Sequence, residues 1–153
     1  MEQHLDDRRV HVLCSGLAAG LASASAACTA AQRAGHAPYA ALNAVTHCVW
    51  PDASSQERPS IRYTALGATI HMGSAVFWGV LFEALCGRRS RPAGIVSAAA
   101  ATALVAYVVD YHVVPNRFTP GFETHLPKRA LAMTYVALAA GFAIAALARR
   151  APR

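Results

Sequence analysis

Four long runs of apolar residues, separated by short stretches that carry most of the charge, set the pattern of this chain. They cover roughly residues 10–31, 63–86, 92–114 and 130–148. A helix rises about 1.5 Å per residue and the hydrocarbon layer of a bilayer is about 30 Å thick, so about 20 apolar residues cross it. Within that layer every backbone amide must be satisfied inside its own segment, which makes continuous runs of this length helices. The short alternating strands of a β-barrel do not occur in the pattern. The expected fold is all-α: a single transmembrane domain over residues 1–153, built as an integral membrane four-helix bundle.

A shorter pattern lies between the first two runs, from Pro38 through Tyr39, Leu42, Asn43, Val45, Thr46 and His47 to Trp50, closed by Pro51. Proline suits the first helical turn, where its missing amide is not needed, and Pro51 stops the helix. Residues 38–50 are too few to span, so they predict a short interfacial or re-entrant helix in the first outer loop. Tyr39 and Trp50 suit the headgroup level.

Composition sharpens the class. The 153 residues are 55% hydrophobic and 14% charged, against about 25% charged in a soluble domain, too little for an ordinary soluble surface. The net charge of +6 does not imply nucleic acid, because a nucleic-acid binder gathers its basic residues on one folded face. Here they cluster at the ends of the runs: Arg8 and Arg9, then Arg88, Arg89 and Arg91, then Arg149, Arg150 and Arg153. The expected partner is the lipid bilayer, and the positive-inside rule places both termini in the cytoplasm. The opposite side carries Arg33, Arg58, Arg62, Arg117, Lys128 and Arg129, spread over two longer loops. The preference for Arg over the lone Lys128, with abundant alanine, is the bias of a GC-rich genome, so a bacterial inner membrane is the expected location. Arg8 and Arg9 ahead of Ala22-Ser23-Ala24 leave open a cleaved signal peptide over residues 1 to about 26. Asp6, Asp7 and the continuation of the apolar run argue against it.

Lipid tails give apolar helices no reason to associate, so small residues that allow close approach are the expected packing device. Gly16, Gly20 and Ala24 mark such a face on the first helix, and Gly67, Gly73 and Gly79 on the second.

Ionisable residues inside spans cost about 2.5–3.5 kcal/mol near a helix centre and are the first candidates for a site. The chain has His71, Glu83, Asp110 and His112. At about 1.5 Å per residue, His71 lies roughly 12 Å and Asp110 roughly 6 Å below the outer ends of their helices. His47 and Arg62 border the same face, so His47, Arg62, His71, Asp110 and His112 form the candidate polar cluster. Glu83 falls near the cytoplasmic end, where an ion pair with Arg88 or Arg89 is expected.

Several chemistries fit this cluster. His47, His71, Asp110 and His112 are suitable donors to a divalent metal, and His71 with His112 to a b-type haem. A proton or small-solute relay through His71 and Asp110 is a further reading, in which four short helices would act as an oligomer. Against metal, Asp110 and His112 stand two residues apart, about 200° around a helix, and no HxxxH or ExxH spacing occurs. The alternative is packing alone, with Asp110 paired to Arg62 or Arg117 and His71 hydrogen-bonded to a neighbouring helix. The cofactor question stays open at this point.

No nucleophile elbow, P-loop, dinucleotide glycine pattern, HExxH or CxxC occurs, which points away from an enzyme. The leading expectation is a structural or accessory membrane protein that binds a membrane partner or a second copy of itself. Cys14, Cys28, Cys48 and Cys86 are expected as free thiols, with a Cys28 to Cys48 disulfide chemically allowed.

The stretches from Asn43 to Trp50, Arg62 to Glu83 and Asp110 to Glu123 resemble a group of uncharacterised small four-span inner-membrane proteins of proteobacteria. The resemblance covers roughly the middle half of the chain. It implies the same four-span architecture and carries no activity, so it assigns no role to any residue.

Overall fold

The computed structural model of the protein describes residues 2–87 and 91–150, with side chains described from Asp7 onward. Among the described residues five α-helices follow in order: α1 (Glu2–Arg33), α2 (Ala40–Ala44), α3 (Leu66–Cys86), α4 (Pro92–Val108) and α5 (Lys128–Ala148). A widened π turn, Ile61–Ala65, leads into α3, and another, Val109–Val113, continues α4. Of the described residues, four segments are long and apolar enough to cross a membrane: Asp7–Arg33, Ile61–Cys86, Pro92–Val113 and Lys128–Ala148. Among the described residues there is no strand. The chain is an all-α, multi-pass membrane protein.

The ends of these helices follow from local chemistry. Pro92 occupies the first turn of α4, after an extended Arg91, and the Ser60 hydroxyl accepts the Tyr63 amide at 3.1 Å where the second span begins. Helix α3 closes on Gly87 at φ +58°.

Helix α1 packs on both α3 and α5, and α4 completes the ring against α5 and α3. Small residues make these approaches. A Cβ on Gly141 would lie 2.5 Å from the Ala19 Cα, and one on Gly16 would lie 2.5 Å from the Val76 Cα. Gly20 sits against Met72 and Ala75, and Gly79 against the Val12 carbonyl. Gly73 departs from the expectation, since its Cβ would meet nothing within 4 Å and it faces outward. Larger side chains from α3, α4 and α5 fill the rest of the core, as where Phe82 stacks on Phe142 with ring centroids 4.9 Å apart. Leu13, Leu17, Leu21, Phe77, Leu104 and Ile144 point outward, the arrangement expected when lipid is the solvent.

The loop between α1 and α3 folds over the end of the bundle away from the termini, hereafter the cap side. The predicted helix at 38–50 is shorter than expected: α2 begins at Ala40 and tightens into a 3-10 turn over Val45–Cys48, and a second 3-10 turn covers Pro51–Ser55. It packs inward, burying Ala40, Ala41, Asn43, Ala44, Val45 and Thr46. Gly67 allows this, because any Cβ there would overlap the Leu42 carbonyl oxygen. Asn43, fully buried, donates to the Gln56 and Arg58 carbonyls at 2.7 and 3.1 Å and accepts from Thr64 Oγ1 at 2.6 Å. The loop before α5 forms the other half of the cap. Its Gly121 holds φ +78°, and a Cβ there would lie 2.6 Å from the Ala44 carbonyl oxygen.

Candidate functional site

A cavity of about 170 Å³ lies beneath the cap. Its polar lining includes His71 from α3, Asp110 from the π turn after α4, Tyr135 from α5 and Ser23 from α1. Trp78, Phe118 and Phe122 contribute aromatic walls, and Cys48 comes from the cap.

His71 is fixed to α1. Its Nε2 lies 3.0 Å from Ser23 Oγ and 3.1 Å from the Gly20 carbonyl. Ser23 Oγ donates its own proton back to the Ala19 carbonyl at 2.8 Å, so it acts as an acceptor and His71 Nε2–H is the donor. The Phe122 ring covers the imidazole at 5.6 Å. The expectation that His71 bonds a neighbouring helix is met.

Asp110 takes a different partner from the one expected. Its carboxylate accepts the Tyr135 hydroxyl at 2.7 Å, across the α4–α5 interface. Neither arginine considered for it is its hydrogen-bond partner. The Arg62 guanidinium lies over the Trp50 ring at 4.5 Å and the Tyr63 ring at 5.2 Å, a cation–π arrangement on the cap surface. Arg117 donates through Nε to the Cys48 carbonyl at 3.1 Å and so ties the two halves of the cap. The Tyr111 hydroxyl is buried nearby without a hydrogen bond within 3.5 Å, with Glu123 and Tyr135 as polar neighbours.

The five-residue cluster therefore divides. His71 and Asp110 share the cavity, whereas His47, Arg62 and His112 do not line it. His47 bridges the Ala44 and Asn116 carbonyls at 2.9 and 3.1 Å, another cross-cap tie. His112 is exposed with its ring against Tyr107 at 5.6 Å. The reason is helical geometry: even in a widened turn, residues two apart leave on different faces, so Asp110 enters the bundle and His112 leaves it. His47, His71, Asp110 and His112 accordingly make no common ligand set, and His71 does not face His112 across the cavity as a haem pair requires. At about 170 Å³ the cavity is also smaller than the roughly 300 Å³ at which pockets for drug-sized ligands begin.

Among the described residues, one group of three or more His, Cys, Asp or Glu side chains brings donor atoms within 4.8 Å of one another: His36, Glu57 and His125. It lies on the cap, outside the spans. His36 Nδ1 is 2.8 Å from Glu57 Oε1, and the two histidine rings meet edge to face at 4.8 Å. The His36 hydrogen bond, supported by the Ala37 amide, holds the Glu57 carboxyl below its ordinary range. Burial pushes His125 below the ordinary imidazole value, aided by the His36 charge.

On the side of the termini, Glu83 does form an ion pair, with Arg149 at 2.6 Å, and Ser15 bonds both partners. Arg88 and Arg89, the partners expected for it, lie outside the described residues. Cys14, Cys28, Cys48 and Cys86 are all free thiols.

Sequence reasoning missed Tyr135 and Ser23, which look like ordinary span residues, and His36, Glu57 and His125, which fall in two loops far apart in the sequence. The signal available for the triad was only that each is a metal-competent side chain on the same face. No family model, curated protein or solved structure matches the chain.

Proposed function

We propose that this protein is a solute-binding membrane protein of the bacterial inner membrane whose cavity beneath the cap takes a small organic amine or ammonium ion. Both termini lie in the cytoplasm on this reading and the cap faces the periplasm, as the distribution of arginines favours. The observation that carries the proposal is the pairing of one carboxylate with aromatic walls. Asp110 is the one carboxylate lining the cavity, and Trp78, Phe118, Phe122 and Tyr135 surround it. A carboxylate among ring faces suits a compact organic cation, which gains both an ion pair and cation–π attraction. His71, held to α1 through Ser23 and the Gly20 carbonyl, is part of the same wall. Nothing in this mechanism requires bond making, in keeping with the lack of catalytic motifs in the sequence.

The test is thermal unfolding of the detergent-purified chain with size-matched small amines, ammonium ions, alcohols and carboxylates. The proposal predicts stabilisation by the cations alone, lost in Asp110→Asn. Absence of any cation-specific shift would leave Asp110 and His71 as packing groups and favour an accessory protein acting through a membrane partner.

A further inference from the structure

We infer that His36, Glu57 and His125 form a divalent transition-metal site, of the zinc class, that fastens the cap. The inference is independent of the cavity reading, since none of the three residues lines the cavity. Two imidazoles and one carboxylate are a donor set that zinc accepts with water or another ligand completing the tetrahedron.

The donors come from three different segments: the turn after α1, the segment after the second 3-10 turn of the cap, and the lead into α5. Their ligand atoms lie within 4.8 Å of one another. Tetrahedral bonds of 2.0–2.1 Å need donors about 3.3 Å apart, so the widest gap closes by about 1.5 Å. The His36 Nδ1 to Glu57 Oε1 distance of 2.8 Å is already shorter than that spacing, and a cation would replace the proton these atoms share. Loop side chains absorb movements of this size by small rotamer changes.

Two surrounding features preorganise the group. Asn43, fully buried, donates to the carbonyls of Gln56 and Arg58, the residues on either side of Glu57, and so fixes the backbone that carries the carboxylate. Thr124 Oγ1 donates to the Gly121 carbonyl at 2.7 Å and lies 2.8 Å from His125 Nδ1. With the hydroxyl proton already committed, Thr124 accepts from Nδ1–H, and the Ser54 carbonyl is a further hydrogen-bond partner of the ring. That is the outer-shell arrangement that orients a histidine ligand. Metal held here ties the end of α1 to the start of α5 through the cap.

The test uses the full chain without a histidine tag, purified in detergent, treated with chelator and titrated with Co²⁺ and then Zn²⁺. The inference predicts one ion per chain, a visible Co²⁺ ligand-field band displaced by Zn²⁺, and a rise in melting temperature with Zn²⁺. Glu57→Gln and His125→Asn should each weaken binding at least about tenfold, and Thr124→Val by a similar factor. His112→Asn, an exposed imidazole outside the triad, should bind as the wild type does. Glu57 is exposed, so its variant keeps the fold and reports on the site even where His125→Asn loosens the cap. No Co²⁺ band, or equal affinity in wild type and Glu57→Gln, would overturn the inference.

Discussion

The Tyr135 hydroxyl donates to the Asp110 carboxylate at 2.7 Å, joining α5 to the π turn that ends the third span. Hydrogen bonds to charged groups contribute about 1.5–3 kcal/mol in proteins, and bonds between membrane helices about 0.6 on average. Tyr135→Phe is therefore expected to destabilise the bundle by about 1–2 kcal/mol. A double-mutant cycle with Asp110→Ala in micelles should show the two losses to be coupled rather than additive.

Gly67 and Gly73 lie in the same helix, yet the structure separates them. A Cβ at Gly67 would overlap the Leu42 carbonyl, while one at Gly73 would meet open space. Gly67→Ala should cost about 1–3 kcal/mol by pushing the cap off the bundle. Protease cleavage within residues 38–60 should quicken accordingly. Gly73→Ala should leave both stability and cleavage unchanged or slightly improved.

The Glu83 carboxylate receives both the Arg149 guanidinium and the Ser15 hydroxyl at the end of the bundle that holds the termini. Glu83→Ala removes the acceptor from both and is expected to cost about 1–3 kcal/mol in chemical unfolding. Exchanging the charges in Glu83→Arg with Arg149→Glu should recover part of the loss. Recovery of none of it would mean that packing around Glu83, rather than its charge, matters.

Acid should loosen the cap. Glu57 has a carboxyl pKa lowered from 4.5, so its contribution is present above that value and lost as pH falls through the lower folded value. His125 has an imidazole pKa lowered from 6.5, so the unfolded state binds more protons below that pH and stability again falls with acidification. With chelator present, hydrogen exchange of the amides in 36–60 should accelerate first below about pH 6.5 and again below about pH 4.5, while the spans stay protected.

The spans were legible in the sequence because length and continuity of apolar residues decide whether a segment crosses lipid, and no tertiary detail is needed for that. The short outer helix was legible from Pro38 and Pro51, although its burial was not, because the Gly67 surface that receives Leu42 lies far along the chain. The divergence of Asp110 and His112 follows from two-residue spacing on a helix, and the structure keeps it. The link from Asp110 to Tyr135 was hidden because a tyrosine within an apolar run reads as a membrane residue. The triad was hidden because His36, Glu57 and His125 share no spacing, and only the folding of both loops onto one face assembles them. An ion pair for Glu83 was expected from the nearby Arg88 and Arg89, which lie outside the described residues; its described partner, Arg149, comes from the distant end of the chain.

On the proposed reading, the cavity beneath the cap admits a small organic cation because of Asp110. Cys48 lines that cavity and is a free thiol, so its reactivity reads the site directly. In a variant that retains Cys48 alone, an alkylthiosulfonate bearing an ammonium group should react faster than its sulfonate counterpart. Asp110→Asn should reduce that preference by about tenfold, the local enrichment a charged cleft provides. In intact spheroplasts the reaction should proceed from the outside. An unreactive Cys48, or a cation preference unchanged by Asp110→Asn, would rule out Asp110 as the group that selects a cation.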